Sequence, residues 1–139
     1  MQSTADAAFA LFEAWERRDW DAVAGLVADD VRFADHPTGR TLDGRSQFLE
    51  WFESWAEACP DSTVSPTVLA AGNDAVVQGV WRGTNDGAFG PFPATGRRVE
   101  LPFVNVAHGD GAGRIARGEA YYDQLGLLVQ LGHMEPPAA

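Results

Sequence analysis

The sequence predicts an α+β fold in which N-terminal helices pack on one face of a strongly curved, mixed or largely antiparallel sheet that encloses a pocket. Two observations carry this. Up to Pro60 apolar residues recur at helical spacing, most clearly Phe48, Trp51, Phe52 and Trp55 at i, i+3, i+4 and i+7. From Thr63 onward the texture changes to alternating runs of strand length, separated by Gly, Pro and Asn turns.

Each element has its own signal. Ala8, Phe9, Phe12 and Trp15 define a first helix over Ala5 to Arg18, with Ser3, Thr4 or Asp6 as N-cap. A second, shorter helix is expected from about Asp19 to Val27, then a short strand, Val31 to Ala34, ended by the turn His36-Pro37-Thr38-Gly39. Asp43 or Gly44 caps the tryptophan-rich third helix, which Pro60 ends. Strands follow at Thr63 to Ala71, Ala75 to Thr84, Val99 to Ala107 and Ile115 to Tyr122, and the apolar segment from Gln124 to Gly132 closes the chain as a helix. All of residues 1–139 read as a single domain, with a frayed Pro/Ala tail at 135–139.

Composition narrows the function classes. A hydrophobic fraction of 45% with five Trp and eight Phe supports a substantial core. The formal charge is −10 and every base is arginine, with no basic run longer than Arg17-Arg18 or Arg97-Arg98, so a nucleic-acid partner is not expected. Cys59 is alone, which excludes an internal disulfide and a multi-cysteine metal site. Asp6 and Glu13 break the apolar character of the N-terminus, and no stretch reaches the ~20 apolar residues of a membrane span. A cytoplasmic protein with no membrane partner, no metal and no cofactor is the expectation.

Three stretches carry a resemblance. Gly113-Arg114-Ile115 through Tyr121-Tyr122-Asp123-Gln124-Leu125, continuing to Gln130-Leu131-Gly132, resembles the closing strand and terminal helix of SnoaL-like polyketide cyclases, within the NTF2-like superfamily. Trp81-Arg82-Gly83-Thr84-Asn85-Asp86-Gly87, with Pro93-Ala94-Thr95-Gly96-Arg97, is similar to that family's Gly-Thr-His hairpin and Thr-Gly-Arg loop, with Asn85 where many relatives have His. Asp35-His36-Pro37 resembles the turn that holds the general base in ketosteroid isomerases. The resemblance implies an NTF2-like cone and an acid/base role for Asp123. On the isomerase side it sets His36 in the base position and Asn105 at the oxyanion donor.

The residues support a matching geometry. If the last hairpin turns near Gly111, Val99 pairs with Asp123, Phe103 with Glu119 and Asn105 with Arg117, so Val99, Leu101, Phe103 and Asn105 share a face with Glu119, Tyr121 and Asp123. Asp123, His36 and Asn105 are therefore the candidate catalytic residues. Asn85, Arg82, Tyr121, Glu119, Trp15, Trp51, Trp81, Phe33 and Phe103 are candidates for binding a hydrophobic small molecule. Asp123 also suits a plain helix cap before Gln124. His36 is equally at home as a solvated turn residue, His108 as an exposed hairpin end, and the tryptophans as core.

Three readings follow. One is a cofactor-independent enzyme moving a proton beside a carbonyl, as the SnoaL-like resemblance implies. Another is an isomerase with His36 as base and Asn105 as donor, with epoxide opening, to which Arg82 and Asp123 are relevant, as a related chemistry. The third is a non-catalytic binding module. The strand face carrying Val104, Val106, Ala116, Ala120 and Tyr122 is apolar enough to predict a homodimer.

Overall fold

The computed structural model describes residues 3–138. Helix α1 (Thr4–Glu16) starts at a reciprocal cap in which the Ser3 hydroxyl accepts from the Asp6 N–H and the Asp6 carboxylate accepts from the Ser3 N–H. Its C-terminal end is fixed by Arg18, a non-glycine residue in the left-handed region at φ 58°. The Arg18 guanidinium donates to the carbonyls of Trp15 (3.0 Å), Pro60 (3.0 Å) and Ser62 (2.9 Å) and lies 4.3 Å from the centroid of the Trp15 ring. It thereby ties the end of α1 to the turn after the third helix. Arg18→Ala should cost about 2 kcal/mol in chemical denaturation by stranding those carbonyls. Arg18→Gly loses the same contacts without the left-handed strain, and is expected to cost about 1 kcal/mol less.

Helix α2 (Trp20–Gly25) is capped by Asp19 and leads directly into β1 (Val27–Asp35), which is longer at both ends than the expected strand. A short β2 (Arg40–Asp43) pairs back onto β1 across the His36 turn and was not anticipated. Helix α3 (Arg45–Ala58) begins after Gly44 at φ 90° and buries Phe48, Trp51 and Phe52 as its spacing requires. The expected single strand from Thr63 to Ala71 is divided at Ser65-Pro66 into β3 (Thr63–Val64) and β4 (Thr67–Ala71). Then come β5 (Asp74–Thr84), β6 (Arg98–Gly109), β7 (Ile115–Tyr122) and α4 (Gln124–Leu131).

The sheet runs β2-β1-β7-β6-β5-β3, with β4 also on β5. All pairings are antiparallel except β1 with β7, which is parallel and makes the sheet mixed. Helices α1 and α3 cover its inner face, and one cluster of buried side chains extends from Ala7 to Leu131. On β7, Gly118 lets this packing close: a Cβ there would stand 2.7 Å from the Phe33 ring and 2.8 Å from the Val106 carbonyl. Residues 135–138 are exposed and without regular structure, and Ala139 lies outside the described residues.

The final hairpin differs from expectation in a way that decides the site. Phe103 pairs with Tyr122, Asn105 with Ala120 and Val106 with Glu119. This is an offset of three residues from the expected pairing, and an odd offset exchanges the faces. Its cause is the turn. Asp110 accepts from the N–H groups of Ala112 (2.7 Å) and Arg114 (3.2 Å), so the loop runs on to Arg114, and the register shifts at His108/Gly109. Ala120 and Tyr122 therefore face inward with Phe103 and Asn105, while Glu119 and Tyr121 face outward.

Candidate functional site

Between the helices and the sheet lies a hollow of about 50 Å³ walled almost entirely by aromatic rings. Helix α1 contributes Phe12 and Trp15, and α3 contributes Trp51, Phe52 and Trp55, one helical turn or less apart. The strands add Trp81, Leu101, Phe103, Ala120 and Tyr122, with the Asn105 amide among them. A smaller hollow of about 20 Å³ lies on the other side of Phe12 and Asn105, bounded by Phe33, Phe48 and Val77. Asn105 borders both.

Directly behind two of these walls is a buried carboxylate. Asp35 ends β1 with only 3% of its surface exposed. One of its oxygens, Oδ2, accepts from the Trp51 indole N–H (3.1 Å), the Tyr122 hydroxyl (3.0 Å) and the Thr38 hydroxyl (2.9 Å). The other, Oδ1, is buried without a hydrogen-bond partner. Placing an acid here is costly unless donors compensate, and three donors on one oxygen do so while the second oxygen is left free. Burial first, and then the Asp35 charge and its hydrogen bond, push the Tyr122 phenol well above the ordinary tyrosine range. Tyr122 is therefore a neutral phenol throughout the physiological range.

The structure gathers part of the expected site and disperses the rest. Trp15, Trp51, Trp81, Phe103 and Asn105 line the main hollow, and Phe33 lines the smaller one. Asp123 does neither. It is exposed, and its carboxylate accepts from the Gly126 N–H at 2.8 Å as the N-cap of α4, the structural role its position before Gln124 allows. His36 is also exposed, stacked at 4.8 Å on the outward-facing Tyr121, because the inward position of that turn belongs to its neighbour Asp35. Glu119 faces outward too and meets His108 Nε2 at 3.0 Å, while His108 Nδ1 meets Asp74 at 2.9 Å. His108 is thus held between two carboxylates and is not a free hairpin end. Arg82 is paired on the exterior with Glu100 at 2.5 Å, away from Glu119 and Asp123.

Asn85 is wholly buried but serves a loop. Its amide nitrogen donates to the carbonyls of Ala58 (3.0 Å) and Gly87 (2.9 Å), and its oxygen accepts from the N–H (3.0 Å) and hydroxyl (3.1 Å) of Thr95. Asp35 and Tyr122 were not among the expected site residues. The available signal for Asp35 was the alternation Val31, Phe33, Asp35, which continues an apolar, inward-facing row into an acid.

The thiol of Cys59 is fully buried, and burial, followed by the Asp61 and Asp86 charges, pushes it up to about 12. A thiol reagent at neutral pH should leave it unmodified in the native protein and react stoichiometrically in denaturant; equal rates would contradict this burial. Among the described residues no group of three or more His, Cys, Asp and Glu side chains is placed to hold a metal ion, and no helix is long and apolar enough to cross a membrane.

Helices over a mixed sheet, with an aromatic hollow between them and a buried acid behind two of its walls, define an α+β cone. The model of the SnoaL-like polyketide cyclase family matches residues 5–131, and the chain belongs to that family. Solved structures share the fold. A candidate SnoaL-like polyketide cyclase from Jannaschia sp. CCS1 superposes with a TM-score of 0.85 at 22% identity, over 96% of this chain and 93% of that one. IdmH from Streptomyces antibioticus, a candidate polyketide cyclase, gives 0.79 at 26% identity over 93% and 98%. A protein of ketosteroid isomerase-like fold from Catenulispora acidiphila gives 0.75 at 23% identity over 94% and 95%. No curated protein sequence matches the chain.

Proposed function

We propose that this protein is a cofactor-independent enzyme that moves a proton beside a carbonyl group of a hydrophobic substrate, with Asp35 as the acid/base. The observation that carries this reading is the Asp35 carboxylate buried directly behind the Trp51 and Tyr122 walls of the aromatic hollow, one oxygen anchored by Trp51, Tyr122 and Thr38 and the other without a partner. Three donors on Oδ2 fix the carboxylate in place, and the unpartnered Oδ1 is the oxygen able to take a proton from carbon. The aromatic walls hold the apolar body of the substrate, and the Asn105 amide is the donor available to a carbonyl oxygen as charge develops there. A hollow of about 50 Å³ is well below the ~300 Å³ of a typical ligand pocket, so a fused polycyclic substrate requires a wall to move.

The test pairs two asparagine substitutions, Asp35→Asn and Asp123→Asn, assayed for turnover of β-dicarbonyl polyketide-like compounds. Loss in the first with retention in the second supports the reading. A second reading is a non-catalytic ligand-binding module, favoured by the burial of both Asp35 oxygens behind the walls. Saturable binding of such compounds without turnover by the unmodified protein would select it.

A homodimer through the outer sheet face belongs to the same proposal, with a corrected set of residues. Ala120 and Tyr122 point inward and Ala116 falls where the β6/β7 register shifts. Val104 and Val106 are joined instead by Val76 and by the exposed Leu69 and Tyr121. Sedimentation at micromolar concentration should give twice the chain mass, and Val106→Asp should give a monomer; a monomeric unmodified protein refutes it.

A further inference from the structure

The walls of the main hollow favour one sign of charge. Trp51, Trp81 and Tyr122 each stand nearly perpendicular to Trp55, at 83°, 84° and 89°, with ring centroids 6.0, 5.0 and 5.1 Å away. The rings around the hollow therefore lie in different planes, and an aromatic face carries the negative side of the ring quadrupole. Two of these walls are further enriched. Trp51 and Tyr122 both give their polar hydrogen to the same Asp35 oxygen, and donation to an anion pushes electron density back into the donor ring. The carboxylate also places a full negative charge just behind the wall, where water is excluded and screening is weak. Around this site the whole chain carries a formal charge of −10, which raises the local concentration of cations.

We infer that the hollow is a binding site for a compact alkylated ammonium group, carried by the substrate or by a separate ligand. Hydrophobic burial alone would accept any apolar head of the right size. The perpendicular tryptophans and the carboxylate behind them add an attraction that only a cation feels, and the small hollow suits a compact head. An ammonium bearing methyl groups satisfies both demands, since it is cationic yet has no N–H that must be hydrogen-bonded. The inference concerns the charge the hollow prefers and stands whether or not a proton is moved there.

The experiment compares choline with 3,3-dimethylbutan-1-ol, which has the same shape but carbon in place of the charged nitrogen, by titration calorimetry and tryptophan fluorescence on the unmodified chain. Choline should bind ~10-fold or more tightly than the alcohol. In Asp35→Asn that ratio should fall toward one, and Trp55→Leu should weaken choline more than the alcohol. Equal binding, preference for the alcohol, or no response to either at millimolar concentration overturns the inference. The deciding ratio is read on the unmodified protein, so it holds even where a variant fails to fold. Turnover of carbonyl compounds is measured separately, so the charge preference and the proton-transfer reading can fail independently.

Discussion

Asp35→Asn should keep the fold and lower turnover by ~10²- to 10⁴-fold, the range attributable to a positioned acid/base. Shape is conserved and the amide oxygen can still accept from Trp51, Tyr122 and Thr38, so the walls of the hollow should stay in place. What disappears is the ability to take a proton, together with a buried negative charge. The amide nitrogen replaces an oxygen that has no partner, which leaves a buried N–H₂ unsatisfied and is expected to cost about 1–2 kcal/mol. Denaturation and turnover together separate the two effects: a small loss of stability with a large loss of rate is the expected pattern. Asp123→Asn should behave in the opposite sense. Its amide oxygen can still cap α4 through Gly126, and turnover should remain within a few-fold of the unmodified protein.

Asn85→Ala should be the most destabilising single substitution among those considered, by about 3 kcal/mol or more in chemical denaturation. The side chain is completely buried and connects the C-terminal end of α3, through Ala58, to Gly87 and to Thr95 on the far side of the loop. Alanine strands two carbonyls and the Thr95 N–H and leaves a cavity where the amide stood. The loop also brings Phe89 to 5.2 Å from Trp55, so its loosening should change the fluorescence of that tryptophan even below the unfolding transition. Asn85→Asp sharpens the test. It keeps the acceptor for Thr95 but turns an oxygen toward the carbonyls of Ala58 and Gly87, and should be at least as destabilising as alanine.

Much of the architecture was legible because its causes are local. Phe48, Trp51, Phe52 and Trp55 can share one inward stripe only in a helix, and Ser3, one of the three residues expected to cap α1, is the cap. The orientation of β7 was not legible, because it depends on how far the hairpin loop extends. The Asp110 carboxylate settles that by holding the Ala112 and Arg114 N–H groups, and the resulting offset turns Tyr122 inward and Glu119 outward. The candidate site suffered accordingly. Residues chosen by size and apolarity, such as Trp15, Trp51 and Phe103, line the hollow, since bulk must be buried somewhere central. Glu119, Tyr121 and Asp123, chosen on the assumed face at the end of the chain, turned to the surface, while Asn105 on β6 stayed inward. Asn85 occupies a position where the resemblance suggested ligand contact, yet three of its four hydrogen bonds go to the loop it closes and the fourth to Ala58 at the end of α3. Asp35 and His36 show how narrow the margin is, as adjacent residues of one turn with one inside the protein and the other stacked on Tyr121.

Under the proposed function, proton exchange with a bound ligand belongs to the buried acid at the end of β1, not to the cap of the terminal helix. Its most direct measurement is deuterium incorporation from D₂O beside the carbonyl of an aromatic β-diketone, followed by NMR with the unmodified protein, Asp35→Asn and Asp123→Asn. Catalysed exchange in the unmodified protein and in Asp123→Asn, with none above background in Asp35→Asn, is the predicted result. Exchange that survives in Asp35→Asn and vanishes in Asp123→Asn would contradict it.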